Sequence, residues 1–230
     1  MEYSSEKKNL QSDKPSLQIK IMGITVPNYN CQPVLEQVCA NRIYFAFRRI
    51  VTNGNREYIQ NADQIRVFSQ IAKILTTCNH KFGVLLNGIT GNGKTTLLRA
   101  IQCVVKDFNL VDPLLSSESH FTNAGLCIIT ATELCRVFLK DDSGYDRYKN
   151  QSLLAIDDIG VEPKSVQSYG NIYTPIADII AYRYQRQLFT IITTNIANKN
   201  IRPRYGDRIA DRLNEMAYIV TMPDVNFRNL

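Results

Sequence analysis

The chain has 230 residues, 44% hydrophobic and 21% charged, with 27 Lys and Arg against 21 Asp and Glu, for a formal net charge of +6. That is the composition of a soluble globular protein with one good core, and no apolar run approaches the roughly 18–20 residues that a membrane helix needs. The start, MEYSSEKKNLQSDKP, has no apolar signal segment, so a cytoplasmic protein with no membrane contact is expected, its basic balance suiting nucleic acid, anionic nucleotides or plain solubility.

The six cysteines, Cys31, Cys39, Cys78, Cys103, Cys127 and Cys135, form no C-x-x-C pair. Cys103, Cys127 and Cys135 lie in apolar runs, where a free thiol packs as a small hydrophobe. With His80 and His120 as the two histidines, no zinc ligand set has a workable spacing. Reduced, buried thiols are expected.

In chain order, residues 1–16 are polar and read as a flexible lead. A mixed segment follows to about residue 58. Its second half interleaves Arg42, Arg48, Arg49 and Arg56 with Tyr44, Phe45, Phe47 and Tyr58. Such a pattern can stack and neutralise single-stranded nucleic acid, with Arg48 and Arg49 as candidate contacts. It equally describes an amphipathic helix packing its aromatics on a main domain, the reading that pattern alone favours. The chain therefore divides into an extension, 1–58, with a candidate role in binding a partner, and a main domain, 59–230.

Within the main domain, Ile65, Phe68, Ile71, Ala72 and Leu75 keep helical spacing, with Asn61 or Asp63 available as cap. FGVLLNG (82–88) reads as a buried strand, and a helix from Lys94 to about Asp107 buries Leu97, Leu98, Ile101, Val104, Val105 and Phe108. LCIIT (126–130) is a strand, TELCRVFLK (132–140) a helix and LLAIDD (153–158) a strand. A helix near 173–186 leads to the strand LFTIITTN (188–195). Then come a helix in YGDRIADRLNEM (205–216), with Ile209, Leu213 and Met216 on one face, and the strand YIVTM (218–222). Short β-rich runs alternating with helices imply an α/β fold, a parallel sheet with helices on both faces.

GITGNGKTT, Gly88 to Thr96, matches G-x-x-x-x-G-K-[ST] between a strand and a helix, the context of a P-loop. Gly88, Thr90, Gly91, Asn92, Gly93 and Thr96 would wrap phosphates with backbone N–H groups, aided by the helix N-terminus. Lys94 would reach the β- and γ-phosphates, and the Thr95 hydroxyl would ligate Mg2+. LLAIDDIG ends a strand in Asp157 and Asp158. Asp157 suits the magnesium-side carboxylate, and Asp158 would orient or activate the attacking water. Because Asp is one methylene shorter than the Glu many such ATPases carry there, slow turnover is expected. IITTN presents Asn195 as a partner for the water or the γ-phosphate. A sheet order with one strand between the P-loop strand and this one would set Asn195 beside Asp158.

Together GITGNGKTT, LLAIDDIGVEP, RYQRQLFTIITTN and YGDRIADRLNEM resemble the DnaC/IstB group of AAA+ ATPases, the bacterial helicase loaders and transposition helpers, over roughly residues 60–230. The resemblance implies Walker A at Lys94 and Thr95, Walker B at Asp157 and Asp158, sensor 1 at Asn195 and an arginine finger acting in trans at Arg212, with Arg208 as second choice. The alternative is a surface pair tethered by Asp211 and Glu215. The resemblance also implies a P-loop NTPase fold with a five-stranded parallel sheet of order 5-1-4-3-2. Nucleotide would sit at subunit junctions, and single-stranded DNA inside a helical self-oligomer. Arg228, in the near-terminal NFR, falls where related sequences end with an aromatic–Arg pair, a candidate nucleotide contact. The few residues after the fifth strand imply a reduced or absent C-terminal lid. The short span DDSGYDRYKNQS argues against an extra DNA-contacting helix there, leaving Arg147 and Lys149 as candidate phosphate contacts.

The resulting expectation is an ATP- and Mg2+-using replication protein resembling a DnaC-type loader, partnered by single-stranded DNA and a replicative helicase. Alternatives are an IstB-like helper of a transposase and a nucleotide-gated scaffold that hydrolyses little ATP.

Overall fold

The computed structural model describes residues 19–21, 24–26, 32–77, 81–110, 112, 114–116 and 122–227. The lead 1–16, Cys31, Cys78, His80, His120 and Arg228 lie outside the described residues. Strands β1 (Ile19–Ile21) and β2 (Ile24–Val26) pair antiparallel. They are followed by α1 (Gln32–Asn53), α2 (Ala62–Thr76), β3 (Gly83–Asn87), α3 (Lys94–Asp107), β4 (Leu126–Thr130) and α4 (Ala131–Lys140). Then come α5 (Asp142–Lys149), β5 (Leu153–Ile159), the hairpin β6 (Val166–Ser168) and β7 (Asn171–Tyr173), and α6 (Pro175–Gln185). The described chain continues through β8 (Phe189–Thr194), α7 (Asn198–Tyr205), α8 (Asp207–Met216) and β9 (Ala217–Thr221). No residue described after Thr221 is helical.

Five strands form one parallel sheet in the order β4-β5-β8-β3-β9. Numbered in chain order within this sheet alone, that is 2-3-4-1-5; with the hairpin strands counted from β3 onward it is 2-3-6-1-7. β8 pairs directly with β3. The condition of one strand between these two is therefore not met, and β8 itself lies between β3 and β5.

Alternation along each strand divides the core. Val84 and Leu86 face one layer with α1, α2 and α3, whereas Leu85 faces the other with α4, α6 and α8. Asn61 caps α2, its Oδ1 accepting from the backbone N–H groups of Asp63 and Gln64 at 2.9 and 3.0 Å. Thr130 caps α4 through Glu133 N–H at 3.1 Å. α2 buries Gln64 and Val67, while the expected Ile65 is half-buried.

α1 belongs to this core. Cys39 and Ile43 are fully buried, and Phe47 packs on Phe68 with ring centroids 5.1 Å apart. Arg42 lies over the Phe108 ring at 4.5 Å, while Phe45, Arg48, Arg49 and Arg56 are exposed. The division at residue 58 thus falls in the connection between two helices of one hydrophobic cluster. Cys39, Cys103, Cys127 and Cys135 are free thiols; Cys103 and Cys127 are only half-buried. Burial pushes the Cys39 thiol up to about 12 and Cys135 to about 11.

Four further elements, two helices and the two strands of a hairpin, lie outside expectation. α5 occupies the short span DDSGYDRYKNQS. α7 forms despite Pro203. β6 and β7 turn at Tyr169 and Gly170, with φ of 48° and 80°. Positive φ at both centre positions is the twist-matching hairpin geometry, here without the Asn-Gly pair that signals it. Opposite the strand ends that carry the motifs, Arg183 is fully buried. It donates to Thr190 Oγ1 and to the carbonyls of Lys149, Gln151 and Phe189 at 2.7–2.9 Å.

If α1 is integral, Ile43→Ala should lower unfolding free energy by about 2–5 kcal/mol, the cost of deleting a buried aliphatic side chain. Urea denaturation measures it, and a loss below about 1 kcal/mol would make α1 a peripheral attachment.

Candidate functional site

A cleft of about 490 Å3 opens at the C-terminal edge of the sheet. Residues 90–96 line one side, and Asp158 and Asn195 lie at its end. The loop from Gly88 to Gly93 turns through φ of +84° at Gly91 and +92° at Gly93, conformations that side chains resist. A Cβ at Gly91 would lie 2.0 Å from Asn226 Oδ1, so glycine is also required for the close approach of the C-terminal segment. Gly88 is outside the lining, but its carbonyl accepts from Lys94 Nζ at 2.7 Å.

Lys94 is 5% exposed. Its ammonium also reaches Ile89 O at 2.8 Å, Asn92 Oδ1 at 3.2 Å and Asn195 Oδ1 at 2.5 Å. The P-loop lysine and the last polar residue of the TTN run are thus joined directly, because β8 abuts β3. In the strand beside them, Asp157 is 4% exposed and takes Thr95 Oγ1–H on Oδ2 at 2.8 Å and Thr193 Oγ1–H on Oδ1 at 2.6 Å. A buried carboxylate is tolerable only with such donors. Thr95 and Asp157 offer two oxygen ligands side by side. That donor set fits Mg2+, which takes one or two protein ligands and fills its shell with phosphate oxygens and water. No cluster of three His, Cys, Asp or Glu occurs among the described residues.

Asp158 has φ of +56°, and the β5–β8 register shifts between Ile156 and Ile159. The extra residue turns Asp158 out of the ladder and toward the cleft. Asp and Asn tolerate the left-handed region far better than Glu, a backbone reason for the shorter acid here. Its N–H donates to Thr193 Oγ1 at 2.7 Å.

Sequence reasoning missed the other wall. Phe47 and Val51 of α1, then Tyr58 and Gln64, line the cleft, and Phe227 reaches it from the C-terminal side. Tyr58 O–H donates to Gln64 Oε1 at 3.2 Å. Phe227 N–H donates to Gly91 O at 3.1 Å, and Asn92 Nδ2 to Pro223 O at 3.3 Å. The interleaved aromatics of α1 were a visible signal; their destination was not. Thr193 was visible in TTN, but its role depends on facing Asp157 across two strands.

The remaining candidates lie away from the cleft. Arg208 is exposed on α8. Arg212 lies 5.2 Å from the Tyr184 ring centroid, its Nη1 buried without a hydrogen-bond partner. The alternative reading's tether does not form: Asp211 pairs with Arg202 at 2.6 Å, as Asp207 does, while Glu215 accepts from Tyr184 O–H. Arg147 is exposed, whereas Lys149 pairs with Asp146 at 3.1 Å and lies 4.5 Å from the Tyr182 ring centroid. Both end α5 just before β5 begins, at the opposite edge of the sheet from the cleft. Arg48 and Arg49 are exposed on α1.

No family model and no curated protein matches the sequence. Solved structures do match. The structure of the DnaC helicase loader covers 79% of this chain and 99% of its own, at 20% identity and a TM-score of 0.57. The DnaI structure covers 79% and 93%, at 22% identity and a TM-score of 0.55. A putative primosome component from Streptococcus pyogenes serotype M3 covers 74% and 84%, at 19% identity and 0.55. The chain shares its fold with these structures. In that fold, Gly88–Thr96, Asp157 and Asn195 meet at one strand edge, where open α/β sheets bind their ligands.

Thr193→Val keeps shape but removes a donor to Asp157 and the acceptor for Asp158 N–H. A loss of about 1–3 kcal/mol of stability is expected in denaturant titration. An unchanged midpoint would mean that the hydroxyl does not hold the two acids.

Proposed function

We propose that this chain binds and hydrolyses ATP as a DNA-replication protein resembling a DnaC-type helicase loader, assembling on single-stranded DNA. The observation that supports it most is the joined set Lys94–Asn195 and Thr95–Asp157–Thr193 at the end of a cleft large enough for a nucleotide. Thr95 and Asp157 would hold Mg2+, which would supply charge neutralisation at the phosphates.

Residues 88–96 orient the phosphates through backbone N–H groups. Lys94 exchanges its loop carbonyls and Asn195 for phosphate oxygens, which releases Asn195 toward the water. Asp158 accepts that water's proton. One lysine in cis leaves transition-state charge for a second cation, supplied in trans by α8 of a neighbouring copy. The exposed Arg208 reaches outward as it stands, whereas Arg212 must first leave the Tyr184 ring. Arg228 is a weaker candidate for the nucleotide.

Arg48, Arg49 and Arg147 are the exposed candidates for DNA phosphates, with Lys149 behind them. The exposed Phe45 beside those arginines supports a partner-binding role for residues 1–58, toward a replicative helicase in the cytoplasm. No described helix is long and apolar enough to cross a membrane. An IstB-like transposase helper would use the same site.

ATPase rate should rise per subunit with protein concentration, and further with single-stranded DNA. Lys94→Ala should abolish it, and loss of the trans arginine should cost about 10^3-fold or more. Mixing Lys94→Ala with Arg208→Ala, or separately with Arg212→Ala, should restore activity only for the arginine that acts in trans. A concentration-independent rate untouched by either arginine variant would leave a monomeric NTPase, and ATP binding without hydrolysis would leave a nucleotide-gated scaffold.

A further inference from the structure

Four residues past Asp158, Glu162 has a side chain only 1% exposed and has been given no role above. Its two carboxylate oxygens serve two different elements. Oε2 accepts Gly160 N–H at 2.6 Å, within the turn that follows β5. Oε1 accepts Tyr205 O–H at 2.6 Å and Arg204 Nη2–H at 3.2 Å, and Arg204 also donates to the Glu162 carbonyl. Arg204 and Tyr205 end α7 immediately before Gly206, whose φ of +83° opens α8. Position 160 itself favours glycine: its φ is +102°, and a Cβ there would stand 2.1 Å from Ile196 Cδ1.

Asp158 is therefore bracketed. Thr193 Oγ1 holds its own N–H, and Glu162 holds the N–H two residues on. A non-glycine residue keeps a left-handed backbone only where its surroundings over-determine it. Tyr205 is a dependable donor, because burial first and the Glu162 carboxylate second push its phenol above the ordinary value. We propose that Glu162 is a positioning residue. It locks the backbone that aims Asp158 at the attacking water and ties that backbone to the α7–α8 pair that carries Arg208. This rests on the reading of Asp158 as the water-activating acid. The carboxylate is required chemically: it accepts at both oxygens, whereas an amide turns a donor toward one set of partners and breaks that half of the bridge.

The test uses the full chain with Glu162→Gln, Arg204→Ala, Arg204→Lys and Tyr205→Phe. Affinity for a fluorescent ATP analogue should stay within about twofold of the parent. kcat should fall about 10- to 100-fold in Glu162→Gln, the scale of an ångström-level misplacement of a reacting group, and Arg204→Ala should reproduce most of that loss. Arg204→Lys should recover part of it, and combining Glu162→Gln with Arg204→Ala should cost little more than either alone. Hydrogen exchange at the amides of residues 158–160 should accelerate in Glu162→Gln with ATP analogue bound. That readout needs no hydrolysis, so it tests the bridge even if the parent protein only binds ATP. Unchanged exchange and kcat would overturn the proposal. So would a fall in nucleotide affinity matching the fall in kcat, and so would additive losses, which would leave Glu162 as a local stabiliser of the turn.

Discussion

The buried carboxylate of Asp157 is the constraint from which the rest of the site follows. It sits at the end of β5 with one hydroxyl donor from α3 and one from β8. Neither donor can be withdrawn without leaving charge in a dry place, where the cost is several times that of an ordinary lost hydrogen bond. The P-loop helix and the TTN strand are therefore tied at fixed distance and fixed height. Parallel pairing makes this economical: β5, β8 and β3 all end at the same edge, so residues far apart in sequence arrive together without long loops.

Left-handed backbone recurs where that edge turns. Asp158, Gly160, Gly91 and Gly93 all have positive φ, and all lie within reach of the cleft or the turn beside it. The strand interiors, by contrast, are apolar and almost fully buried. Rigid strands carry the strained ends, and the ends carry the chemistry. The same division explains why most of the polar side chains buried near the cleft, Gln64, Asn92, Lys94, Asp157, Glu162, Thr193 and Thr194, belong to loops or to terminal residues of strands and helices.

Much of this was legible before any coordinates. Short continuous apolar runs announced β3, β4 and β5, and the glycine spacing announced the tight loop between β3 and α3. Those signals are local, since strand burial and tight turns write themselves into neighbouring residues. What stayed hidden depends on contacts between distant segments. The aromatics of α1 fit either a DNA-stacking surface or a packed helix; Phe47 and Tyr44 went inward and Phe45 outward, a choice set by α2 and α3. Asp211 and Glu215 looked like partners for their helix neighbours, yet Arg202 and Tyr184 take them from other helices. Glu162 gives no local signal, since nothing in GVEPK indicates that α7 closes over it.

The wall that α1 contributes to the cleft gives the glycine-rich loop a dependence that its own motif does not advertise. Phe47 and Val51 lie upstream of every recognisable motif, yet they face the same space as residues 90–96. Replacing α1 would therefore also replace part of the cleft's wall. The outer face of that helix, with Phe45, can change while the wall is kept, and its inner face cannot.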